Sequence, residues 1–196
     1  YEETIHSHLV KEEFDFEIYK DYVDKFIKKL ESKWGKIEKE VLTYFEEVTG
    51  LSWNKNEINC YVIKISSITP ISDPLTIPIQ LQVRDDVFTL SVDRFIDMLI
   101  HELIHNLFIQ NENKFGFYFD DLIKDKYRDE SFNTAIHLSV HAIHKKIFLK
   151  FFGEDRLKEE IEMNSYYTDY KRSWEIVNMK GEDNILDEMK TYFNLP

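Results

Sequence analysis

Residues 98–108 read Met-Leu-Ile-His-Glu-Leu-Ile-His-Asn-Leu-Phe, an apolar stretch that carries His101, Glu102 and His105 inside it. The spacing is helical from Ser91, a good N-cap, with Asp93 in the first turn, to about Gln110, where Asn111-Glu112-Asn113 ends it. A helix that is apolar on nearly all sides is buried. Buried imidazoles and a buried carboxylate need partners, and this requirement constrains the fold more than any other feature of the chain. Positions i and i+4 share a helix face, so His101 and His105 can grip one metal ion. Glu102 stands beside them without being a ligand, placed to take a proton from water and return it to a leaving amine. An imidazole-rich site with an open position suits zinc, Zn(2+).

Two imidazoles do not hold a catalytic zinc. A second long helix, about Ser131 to Phe152 with Gly153 as its stop, carries His137, His141 and His144 at offsets of four and three, on one face. Glu130 extends that face but lies roughly 10 Å from His137 along a continuous helix axis. The candidates rank His137, His141, Glu130, His144. The first two sit mid-helix, where packing is closest, and join His101 and His105 as the expected metal set. His144 leads into Lys145-Lys146, which suggests a wetter turn. A histidine of this face that is not bound to the metal is expected to orient one that is.

At these residues the chain resembles the zincin metallopeptidases. The likeness spans about residues 57–152 and consists of the HExxH helix, a strand before it and a later helix with a third ligand. The layout is most similar to the minimal gluzincins, whose downstream Glu ligand and supporting acidic residue would fall on His137 and His141; both are histidine here. SprT-like proteases also use a His third ligand, closer to the motif. The resemblance implies His101 and His105 as ligands and Glu102 as general base and acid. It also implies an edge strand that pairs with substrate main chain, and a Tyr, His or Arg that stabilises the oxyanion. Tyr166, Tyr167, Tyr170 and Arg172 are available for the last role.

The remaining chain predicts an α+β fold, mostly helical, with a small antiparallel sheet of about three strands packed on the HExxH helix. Residues 14–49 carry apolar positions at helical spacing, from Tyr19 through Val48, with Gly35 either inside one helix or between two. Residues 57–66 read as a strand, Ser72-Asp73-Pro74 as a turn, and 76–83 as an alternating strand that Pro78 assigns to a sheet edge. Residues 114–130 form an irregular connection with Phe115, Phe117, Tyr118 and Phe119. Helices follow at about 154–163, 166–180 and 182–193. The expected division is an N-terminal helical region, 1–50, and a zincin-like domain with C-terminal helices, 51–196, one compact unit being compatible with the same pattern.

Composition narrows the partners. Five Gly and four Pro in 196 residues argue against a turn-rich all-β fold. A net charge of −12 repels phosphate backbones, so nucleic acid is a poor partner, although Lys145, Lys146 and Lys150 make a short basic flank expected to be solvated. No apolar run reaches membrane-spanning length. The single cysteine, Cys60, sits in an apolar run and is expected as a buried free thiol. The lone cysteine fits a reducing compartment, and the expected setting is cytoplasmic; no basic or apolar leader follows Tyr1, which fits either a chain without a signal peptide or one that has lost it. The function expected is a zinc-dependent metallopeptidase acting on peptide or protein substrates. A latent form, with a terminal segment over the cleft, is compatible with the flanking helices. The alternative is a zinc-stabilised, non-catalytic binding or regulatory protein with two His from each helix.

Overall fold

A computed structural model of the chain describes residues 16–67, 69–83, 85–112, 126–193 and 195. Phe115, Phe117, Tyr118 and Phe119 lie outside the described residues. The fold is α+β, mostly helical with a small mixed sheet. Two compact units divide the described residues. One holds those up to Ile37 together with Ile58–Glu102; the other holds Glu38–Glu57 and those from Leu103 onward. The division falls inside one continuous helix, α3 (Val92–Gln110), which both units share.

The helical period of 14–49 resolves into α1 (Phe16–Trp34) and α2 (Glu38–Thr49). The chain breaks at Gly35, whose N–H donates to the Glu31 carbonyl at 2.9 Å. A Cβ at Gly35 would sit 2.9 Å from that same backbone oxygen, so only glycine makes this approach without a shift.

In the first unit α1 packs beside β1 (Tyr61–Ser66), where the Lys64 N–H donates to Tyr19 Oη at 3.0 Å. Phe26 meets Phe95 edge-on, with ring centroids 5.3 Å apart. The sheet adds β2 (Ile71–Ser72), β3 (Leu75–Val83) and β4 (Asp86–Thr89). Among the described residues it has four strands where the sequence predicts about three antiparallel ones, and it is mixed: β1 runs parallel to β3, while β2 and β4 pair antiparallel along the other side of β3.

This arrangement also overturns the edge assignment of 76–83. β3 is central rather than at an edge, with β1 along one side and β2 and β4 at the two ends of the other. Pro78 is tolerated because β2 pairs only Leu75 and Thr76, and β4 pairs only from Gln80 onward; Ile63 of β1 is the one residue registered opposite Pro78. The clean alternation hid a second fact. Thr76 and Pro78 are buried along with Leu75, Ile77 and Ile79, so the middle of β3 is covered on both faces. Cys60, just before β1, is a free thiol but half-buried rather than fully so. Even this partial burial pushes its thiol up to about 12.

The second unit is built on α4 (Phe132–Phe151), with α5 (Glu154–Asn164), α6 (Thr168–Lys180) and α7 (Glu182–Phe193) following. Ser131 caps α4, its Oγ accepting the Thr134 N–H at 3.1 Å. α6, α7, α5 and α2 all pack against α4, which explains why it is apolar around most of its circumference. Gly153 enters α5 at φ 86°, a left-handed conformation that favours glycine.

The basic flank of α4 is not the solvated face expected. Lys145 pairs with Glu182 at 2.9 Å and Lys146 with Asp183 at 2.7 Å, both acids in the first turn of α7. The lysines thus help dock α7, and only Lys150, over the Tyr44 ring at 3.6 Å, is about half exposed. Among the described residues no helix is long and apolar enough to cross a membrane.

Candidate metal centre

Ser91 starts α3 as expected: its Oγ accepts the Arg94 N–H at 3.2 Å. His101 and His105 then fall one turn apart on the same continuous helix, which fixes their separation without help from any other element. His137, on α4 in the second unit, brings its ring within 5.1 Å of the His105 ring, centroid to centroid. One donor atom from each of His101, His105 and His137 lies within 4.8 Å of the other two. Three imidazole nitrogens at this spacing lie close enough together to bind one metal ion.

The electrostatics suit ligation. Burial, reinforced by the neighbouring His137, lowers the His105 pKa to about 4. Burial also lowers the pKa of His137, against a smaller opposing effect from its bond to Asn133. Both rings are therefore neutral near pH 7 and offer lone pairs rather than charge. His137 Nδ1–H donates to the Asn133 carbonyl at 2.7 Å, and this tautomer leaves the lone pair on Nε2.

Glu102 is 7% exposed. Its Oε2 accepts a hydrogen bond from Ser72 Oγ at 2.5 Å. Burial raises the Glu102 pKa, and the Ser72 hydroxyl partly offsets that by favouring the ionised form. A carboxylate with a raised pKa is a better proton acceptor, which is what a general base requires. Ser72 itself carried no signal in the sequence beyond membership of a turn. Thirty residues separate it from Glu102, and only the β2–β3 pairing brings the two together.

The other candidates take different places. His141, fourth of the expected ligands, is not among the three that converge. Its ring stacks on Trp174 at 4.3 Å and 8°, and its Nδ1 lies 3.0 Å from Ser173 Oγ. His144 is fully buried rather than in a wet turn, against Phe148 and Trp174. Glu130 is held by Arg172, whose Nη2 donates to it at 2.7 Å, so both are engaged with each other. Of the tyrosines, Tyr170 packs on the His137 ring at 4.2 Å, whereas Tyr166 and Tyr167 are exposed.

No protein-family model matches this chain, and neither any curated protein nor any solved structure is similar enough to it to count as a match.

Proposed function

We propose that this protein is a zinc-dependent peptidase of the zincin kind, with His101, His105 and His137 as metal ligands and Glu102 as general base and acid. The observation that carries the reading is the convergence of three imidazoles, with donor atoms within 4.8 Å of one another, and Glu102 adjacent on the same helix. A zinc ion held there supplies a Lewis acid and lowers the pKa of a water ligand to about 7. The protein's own groups do the rest. Glu102, its pKa raised by burial, takes a proton from the attacking water and returns it to the departing amide nitrogen. Asn133 holds His137 in the tautomer that presents Nε2. Tyr170, packed on the His137 ring, limits how that ring can turn.

The alternative, a non-catalytic zinc-stabilised protein, needs a fourth protein ligand. His141 is the candidate, and its absence from the three imidazoles that converge favours the three-ligand site.

The test compares zinc-loaded wild type with Glu102→Gln on a mixture of fluorogenic peptides. Hydrolysis by the wild type, a loss of at least about 100-fold in the variant, and one zinc per chain in both are expected. Equal hydrolysis by the two proteins would sink the mechanism.

A further inference from the structure

Ser72 is the last residue of β2, and its main chain is paired with Leu75 of β3, which is 2% exposed. The intervening Asp73-Pro74 turn is tied down by Thr76 Oγ1, which donates to the Pro74 carbonyl at 2.9 Å. The Ser72 hydroxyl thus reaches Glu102 from a sheet-anchored backbone rather than from a free loop. Its 2.5 Å bond to Oε2 is in the short range of hydroxyl-to-carboxylate hydrogen bonds, which are stronger than neutral ones. A glutamate has three rotatable side-chain bonds, and its last torsion is broad. One fixed donor on one oxygen removes most of that freedom and decides which oxygen does the chemistry.

We infer that Ser72 is a positioning residue: it holds Glu102 Oε2, so that Oε1 is the oxygen that exchanges a proton with the attacking water. This rests on the reading of Glu102 as the general base. A hydroxyl that only satisfied a buried carboxylate would contribute to folding and leave turnover alone. A hydroxyl that aims the carboxylate acts on the chemical step and not on substrate affinity.

The experiment measures kcat, KM, zinc content and melting temperature for zinc-loaded wild type, Ser72→Ala, Ser72→Thr and Ser72→Cys, with Glu102→Gln as reference. The Glu102 carboxylate stretch, isolated as the infrared difference between wild type and Glu102→Gln, supplies a readout independent of hydrolysis. Ser72→Ala is expected to keep zinc and KM within about twofold while kcat falls on the order of tenfold. Ser72→Thr, which retains the hydroxyl, restores kcat to within about threefold. Ser72→Cys, a near-isosteric but weaker donor, falls between them and carries the test if the alanine variant does not fold. The carboxylate band shifts in Ser72→Ala and stays in place in Ser72→Thr.

An unchanged kcat in Ser72→Ala, alongside an inactive Glu102→Gln, overturns the positioning role and leaves the base in place. Equal losses in the alanine and threonine variants, with lowered melting temperatures, also overturn it, as a purely structural effect. No hydrolysis by zinc-loaded wild type, or full hydrolysis by Glu102→Gln, overturns the base itself and this inference with it.

Discussion

His137 Nδ1 lies 2.7 Å from the carbonyl oxygen of Asn133, one turn back along α4. The bond selects a tautomer, and with it the nitrogen that can bind a metal. It also distinguishes His137 from His141 on the same helix face, because the Nδ1 of His141 meets a hydroxyl, Ser173 Oγ at 3.0 Å, and its ring is stacked on an indole.

That difference predicts unequal roles in metal binding. Wild type is expected to hold one zinc per chain, and His101→Ala with His105→Ala none. His137→Ala should weaken zinc binding by at least about tenfold, whereas His141→Ala should leave affinity within about threefold. Competition titration against a chromogenic chelator measures all four. Chelation of the wild type should lower its melting temperature by several degrees, since a ligand bound at about 1,000 times its Kd contributes roughly 4 kcal/mol.

Acid should destabilise the metal-free protein in a defined window. Burial, with a smaller contribution from Arg156, lowers the His144 pKa to about 3, and that of His105 is about 4. An unfolded histidine titrates near about 6.5, so between these values the unfolded chain binds more protons than the native one. The stabilising effect of a neutral buried ring is full above about pH 6.5 and is lost as pH falls toward the folded value. For His144 alone the loss between pH 7 and 5 is about 2 kcal/mol. Urea melts at the two pH values check it, and His144→Leu should show a smaller difference between them than wild type.

Trp174 is 1% exposed and lies against His141 and His144. Trp174→Ala leaves a cavity between α4 and α6 and should cost about 3–5 kcal/mol, enough to show as a large loss in a denaturant midpoint. If the loss stays under about 1 kcal/mol, the stack is not part of the rigid core.

Cys60 should be a poor nucleophile. With its thiol raised to about 12, the thiolate is scarce at neutral pH. Alkylation by iodoacetamide at pH 8 is expected to be about three orders of magnitude slower than for a free thiol, and to recover in denaturant. Rapid labelling of the folded protein would contradict the burial of the sulfur.

The residues themselves determined the local structure and the core of the candidate site. Ser91 and Ser131 mark two helix starts, and Gly153 and Gly181 separate three helices, because caps and glycine conformations act over a few residues. The i, i+4 spacing of His101 and His105 is likewise a property of a single helix. Sequence periodicity also brought out His137 and ranked it first, with His141 and Glu130 behind it on the same extended face. The tertiary structure decided between them: Arg172, forty-two residues onward, binds Glu130, and His137 rather than His141 converges with His101 and His105. The same holds for β3. Alternation and Pro78 suggested an edge, but strand neighbours are chosen by long-range pairing, and a proline is accommodated wherever its neighbours stop short. Ser72 shows the limit most clearly. A hydroxyl in a turn has no helical or strand period to announce it, and its partner is set by where the sheet delivers the chain, not by any spacing along it.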